Sequence, residues 1–305
     1  MSWLPLSPGP RPALEAGTGV RPVTLDADGV PLSGLLAQPP HGPPRAVVVA
    51  LHGSGMSAGY FDNQAGPGLS LLSLGAGLGY TVLALDRPGY GASARWLPEG
   101  QSLAGQTAAL RAALDGFGHA YAQGAGFFLL AHSNGGRLAL STAAAEDPPP
   151  GGLIGLDISG LGSAFAVRRG QLPGPGVRGD WRRHWGALRM YPPGAFRLGQ
   201  RLVAAVPARE ARETALWPRM YPAIASRVRV PVRFTFAEQE QWWRCDEAAV
   251  SELVAPLAAR RVAVERQPGA GHNISLGWAA RTYHLRALAF LEECLLAGNT
   301  AAGKG

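Results

Sequence analysis

Apolar and polar positions along this chain change period as the chain proceeds. Near the start, two runs, VTLDA and VPLSGLLA, flank Asp28-Gly29, a pairing that reads as a hairpin over residues 21–37. From residue 46 onward, short apolar runs fall at 46–51, 80–85, 126–132, 153–158, 230–236 and 261–266. Between most of them lie helical patterns at 65–78, 102–118, 134–146, 246–259 and 276–297. Strand and helix alternating in this way predict an α/β fold, a mostly parallel sheet with helices on both faces. Ligands of such sheets bind beyond the carboxyl ends of the strands.

The alternation stops once. After GLIGLDIS (152–159), nearly 70 residues pass before the next strand pattern, with several Pro turns and short helical patterns over 161–229. A connection that long inside a compact domain is usually functional. Residues 1–19 are rich in Pro and Gly and read as a loose arm. No internal repeat is present. Gly75, Gly77 and Gly79 precede their strand, so they are no dinucleotide fingerprint, and no Walker-type loop occurs.

Candidate chemistry sits at the ends of the predicted strands. In AGFFLLAHSNGGRLAL the apolar run stops at Ser133, with Ala131 two residues before it and Gly135 two after. A small-x-Ser-x-small order fits a sharp strand-to-helix turn that lifts a serine hydroxyl out of the sheet edge. Upstream, AVVVALHGSGM is a strand followed by His52-Gly53-Ser54-Gly55; downstream, VAVERQPGAGHNI leads through a Pro-Gly-rich turn to His272. Between them, VPVRFTFAEQE is a strand ending in Glu238 and Glu240. The chain order is therefore Ser, acid, His.

Those motifs, with the LDRPGYGAS turn at 85–93, make the chain resemble the α/β-hydrolases from about Val20 to Leu296. The resemblance implies an α/β-hydrolase fold, with a core at 20–160 and 230–305 and a helical lid at 161–229 inserted after the sixth strand. It implies Ser133 as nucleophile, His272 as its base, and an acid near the end of the strand that follows the lid. Counting from Ala237 favours Glu240, with Glu238 as the alternative; Asp157, on the strand before the lid, is a third choice, and Asp246 reads as a helix cap. The oxyanion would be held by backbone N–H groups of Asn134 and Ser54, with Gly55 or Met56 as substitutes for the latter. Gly53 and Gly55 would let the backbone face the substrate. Trp181 and Trp185 in the lid, and Trp242 after the acid loop, would touch it. Asp86, Arg87 and Tyr90 read as bracing the sheet edge, His132 as packing beside the turn, and His184 as a lid residue outside the chemistry.

The activity implied is a serine hydrolase acting on an ester, thioester or lactone through an acyl-Ser133 intermediate. The same triad also serves acyl transfer, cyclisation or lyase chemistry, and the fold serves some non-catalytic ligand receptors. No cofactor or metal is required.

Composition changes this picture only in detail. The chain has 305 residues, 47% apolar and 16% charged, as expected for a globular protein. Its net charge of +7 is uneven: residues 163–229 hold 13 Arg against Asp180, Glu210 and Glu213. Aromatic residues beside arginines there suit a large, partly apolar, anionic ligand. A near-absence of Lys beside abundant Ala, Gly, Pro and Arg fits codon bias as well, and no nucleic-acid-binding motif accompanies the arginines. Cys245 and Cys294 form no disulfide or metal framework and read as helix residues. The start of the chain lacks a basic, apolar leader, and glycines interrupt the uncharged stretch 63–85. The expectation is thus a cytoplasmic enzyme with a small-molecule substrate, no nucleic-acid partner and no stable membrane insertion, with a homodimer left open.

Overall fold

The computed structural model describes residues 17, 19–147, 149, 151–172 and 181–302. The predicted arm lies outside them apart from Gly17 and Gly19, as do residues 173–180 of the long insertion.

Eight strands form one sheet in the order β1-β2-β4-β3-β5-β6-β7-β8. The hairpin comprises β1 (Val20–Ala27) and β2 (Val30–Ala37), antiparallel to each other, with β2 also antiparallel to β4. The remaining strands, β3 (Val47–Leu51), β4 (Thr81–Leu85), β5 (Phe127–His132), β6 (Leu153–Ser159), β7 (Val232–Gln239) and β8 (Val262–Gly271), pair in parallel. All five residues of β3 are buried, and they alternate between two apolar cores: Val47, Val49 and Leu51 face one, Val48 and Ala50 the other. That period of two explains why the central strands read as unbroken apolar runs.

Helices cover both faces. α2 (Leu103–Ala120), α3 (Asn134–Ala143) and α7 (Glu247–Val254) pack with the Val47 side; α1 (Leu71–Gly77) and α8 (Ala280–Ala302) pack with the Val48 side. The predicted helix at 65–78 is shorter in fact, since Ser70 caps α1 by accepting from Ser73 N–H. β8 is longer than its apolar pattern: it runs through Gln267 and Pro268 to Gly271, so the predicted turn before His272 is strand in its first part. Cys245 precedes α7 rather than lying on it, and Cys294 is on α8; both are free thiols. Asp246 caps α7, accepting from Ala249 N–H.

Between β6 and β7 the insertion carries short 3-10 turns followed by α4 (Ala195–Leu202), α5 (Ala208–Thr214) and α6 (Trp217–Ala225). No helix among the described residues is long and apolar enough to cross a membrane.

Several histidines are built into the cores rather than the surface. His52, His132 and His284 are fully or nearly fully buried. Burial pushes His52 and His284 down to about 3 and His132 well below the ordinary value. Folded-state values below the unfolded value of about 6.5 mean that the unfolded chain binds protons the folded chain refuses. Their contribution to stability is complete above pH ~6.5 and is lost as pH falls toward the folded values, by up to about 1.4 kcal/mol per pH unit for each histidine. Urea unfolding midpoints are therefore expected to drop steadily from pH 6.5 to 4.5. A midpoint that stayed constant over that interval would contradict neutral, buried imidazoles.

Candidate active site

Ser133 sits between β5 and α3 with φ 51° and ψ −120°. Left-handed backbone at a residue with a side chain is strained, and it persists only where the surroundings enforce it. Here the enforcement is steric. A Cβ on Gly135 would lie 2.2 Å from the Leu51 carbonyl oxygen, so only glycine lets α3 start this close to the end of β3. Across the turn, a Cβ on Gly53 would meet the His132 ring at 3.0 Å and Ser133 Cβ at 3.1 Å. Two glycines thus allow the loop after β3 to run directly beside Ser133.

His272 follows β8, with its side chain buried. Its Nδ1 lies 2.9 and 3.0 Å from the two oxygens of Glu240, which immediately follows β7. An ionised carboxylate only accepts, so Nδ1 carries the proton and Nε2 is left as the acceptor. The backbone N–H groups of Trp242 (2.9 Å) and Gln241 (3.1 Å) donate to Glu240 Oε1 and hold the carboxylate in place. Glu238, the alternative, turns elsewhere: its carboxylate accepts from Gly269 N–H at 2.7 Å. Asp157 is fully buried in a separate cluster, paired with Arg233 at 2.5 Å and accepting from Tyr283 OH at 2.9 Å.

Ser133, Asn134, His272, Ser54, His184 and Trp242 line one small pocket of about 40 Å³, closed further by Trp243, Phe165 and Leu172. Among the described residues, the backbone N–H groups of Ser54 and Asn134 have no protein acceptor, the second because it opens α3. The Gly55 N–H is already spent on Tyr90 OH at 3.2 Å. His52 fixes the same loop: its Nε2 accepts from Arg87 N–H (3.1 Å), so its Nδ1 donates to Gly53 O (2.8 Å).

Next to this pocket is an apolar cleft of about 830 Å³ between the loop after β3 and the insertion. Gly55, Met56, Trp185, Leu188, Phe196 and Val203 are among its walls. Ser54, His184 and Val206 border both spaces. Trp242 is thereby placed at the small pocket and Trp185 at the cleft, whereas the side chain of Trp181 lies outside the described residues.

Two residues at the site escaped sequence reasoning. His184 leaves its expected remote position: its ring is 4.9 Å from that of Trp242 and 5.7 Å from that of His272, and burial with the neighbouring His272 lowers it to about 3. Glu210, from α5, is buried against Arg87, Tyr90, Ser54 and Asn134. Arg87 and Tyr90 accordingly reach past the sheet edge to the insertion. The signal for Glu210 was its rarity, as one of three acids in a stretch with 13 arginines.

Solved structures of the same fold span nearly the whole chain. A soluble variant of monoglyceride lipase from Saccharomyces cerevisiae, in complex with a substrate analog, aligns at a TM-score of 0.69 with 14% identity, covering 94% of this chain and 99% of its own. The Cif epoxide hydrolase from Acinetobacter nosocomialis aligns at 0.63 with 14% identity, covering 91% and 90%. A cold-adapted esterase from an Arctic intertidal metagenomic library aligns at 0.53 with 17% identity, covering 88% and 94%. At such identities the likeness shows the fold, an α/β-hydrolase fold. No match to a curated protein was found. A model of the alpha/beta hydrolase family matches residues 48–282, most of the chain, and the protein belongs to that family.

Proposed function

We propose that this protein is a serine hydrolase that cleaves an ester, thioester or lactone of a medium-to-large, partly apolar substrate. The observation that carries the reading is the Glu240–His272 pair beside a strained serine at the turn. A serine hydroxyl is a poor nucleophile until a base takes its proton, and an imidazole becomes a competent base when a carboxylate fixes its tautomer.

In this mechanism Ser133 Oγ attacks the acyl carbonyl while His272 Nε2 takes its proton. Glu240 stabilises the imidazolium. The Ser54 and Asn134 N–H groups hold the oxyanion, a role in which one donor is worth on the order of 3 kcal/mol in other enzymes. The tetrahedral adduct collapses, the leaving group takes the proton from His272, and water repeats the sequence to free Ser133 and release the acid. The volumes of the two spaces support an asymmetric substrate: the 40 Å³ pocket admits the reacting group and little more, whereas the 830 Å³ cleft suits a long or bulky apolar portion. His184, neutral and at the junction, would offer the substrate one hydrogen bond without charge.

The Ser133→Ala variant is expected to lose labelling by a fluorophosphonate probe and at least about 10³-fold in p-nitrophenyl ester turnover. Turnover or labelling that survived the substitution would overturn the nucleophile. Glu240→Gln should lower kcat by roughly 10³- to 10⁴-fold, by analogy with removing a triad carboxylate, whereas Glu238→Gln should stay within about threefold of wild type; the reverse pattern would exchange the two roles. Val206→Trp, at the junction, should depress kcat/KM for p-nitrophenyl decanoate at least about tenfold more than for the acetate. Equal losses for both esters would detach the cleft from the substrate.

A further inference from the structure

The Glu210 carboxylate is the most heavily engaged side chain near the candidate site, and it comes from the insertion rather than the core. It is 3% exposed. Arg87 grips it with both terminal nitrogens, at 2.8 Å to Oε2 and 3.0 Å to Oε1. Tyr90 OH donates to Oε1 at 2.9 Å, Asn134 Nδ2 stands 3.1 Å from the same oxygen, and Ser54 Oγ also donates to it. Asn134 Nδ2 in turn reaches Ser54 Oγ and Thr214 Oγ1, the latter at 2.8 Å. Burial works against an ionised Glu210, but Arg87 and these hydrogen bonds outweigh it and hold the carboxyl well below the usual range.

The partners share a location. Ser54 and Asn134 both line the small pocket, and among the described residues their backbone N–H groups have no protein acceptor; Tyr90 accepts the N–H of Gly55 next to Ser54. One carboxylate therefore ties the loop after β3, the start of α3 and the loop after β4 to one another. The backbone reinforces the attachment: Ala204 N–H donates to Gly55 O at 2.9 Å, and Arg209 N–H to Glu99 O at 2.9 Å. A buried ion pair is a poor device for stability alone, because apolar replacements of similar volume are often as stable or more so. Charge-assisted bonds are short and directional, which suits them to fixing geometry.

We propose that Glu210 is a positioning residue for the oxyanion site, supplied by the insertion. By occupying the side chains of Ser54 and Asn134, it sets the separation and aim of their backbone N–H groups. The two donors are then in register only while the 204–214 segment is docked on the core, so closure of the insertion and completion of the oxyanion site are one event. This inference rests on the serine-hydrolase reading above.

The test is a double-mutant cycle on p-nitrophenyl butyrate, with Glu210→Gln, Ser54→Ala and the pair, together with Arg87→Met/Glu210→Leu. Each is measured for kcat, KM, fluorophosphonate labelling rate and Tm. Each single variant of the cycle is expected to lower kcat about 10- to 100-fold with KM within about threefold, since an interaction made to the transition state is lost. The pair should lose little more than either alone, because both cut the same link. Arg87→Met/Glu210→Leu removes both charges of the pair and leaves Arg137 buried beside Asn134 and Thr214; its Tm should exceed that of Glu210→Gln while kcat stays as low as in Glu210→Gln. Recovery of kcat along with Tm would make Glu210 merely structural and overturn the inference. So would full multiplicative losses in the cycle, or Ser133-dependent activity indifferent to both substitutions. Turnover independent of Ser133 would instead overturn the underlying reading.

Discussion

The molecule turns on a close approach of backbone to backbone at the carboxyl edge of the sheet. α3 begins so near the end of β3 that no side chain fits at Gly135, and the chain entering that helix adopts a left-handed conformation at Ser133. Everything at the candidate site is arranged around this crowding. The loop after β3 passes beside the serine because Gly53 has no Cβ, β6 and β7 end at the same edge, and β8 ends there with His272. A parallel sheet aligns strand ends by construction, so groups far apart in sequence meet without long excursions of their own.

Around that edge the polar interior divides into clusters with different tasks. Asp157, Arg233 and Tyr283 join β6, β7 and α8 beneath the site, where the ion pair is sealed from water. Glu240 and His272 form a second cluster, of which His272 lines the small pocket. The third, around Arg87, contains no group assigned to bond making, yet it is the one that joins core to insertion. Its arginine also donates from Nε to His52 O at 2.7 Å, so even the backbone of the loop after β3 is gripped from behind.

Much of this was legible in the sequence. Continuous apolar runs gave away strands covered on both faces, and the order of Ser133, Glu240 and His272 was readable because each follows a strand. Strand length was less legible: β8 continues past its apolar residues to Gly271, sustained by the pairing of Gln267 with Ala237 and of Gly271 with Gln239 rather than by hydrophobicity. That Glu240 lies against His272 while Glu238 lies against Gly269 coincides with a register shift in the β7–β8 pairing between Ala237 and Gln239, a local irregularity without a residue signature. His184 and Glu210 were hard to place for a different reason. They lie in a segment of short helices and turns with no dominant period, and only tertiary packing brings them to the pocket.

The Arg87–Glu210 pair also bears on how this architecture can vary. By its position between β6 and β7 the insertion reads as a cover laid on a separate platform. Here the cover owns one half of a buried ion pair and the platform owns the other, so neither half is neutral without its counterpart. Exchanging the insertion wholesale would strand a guanidinium in the interior unless residues 87 and 90 changed with it. Insertion and platform are consequently coupled through this pair, and replacing the former alone leaves an uncompensated charge buried in the latter.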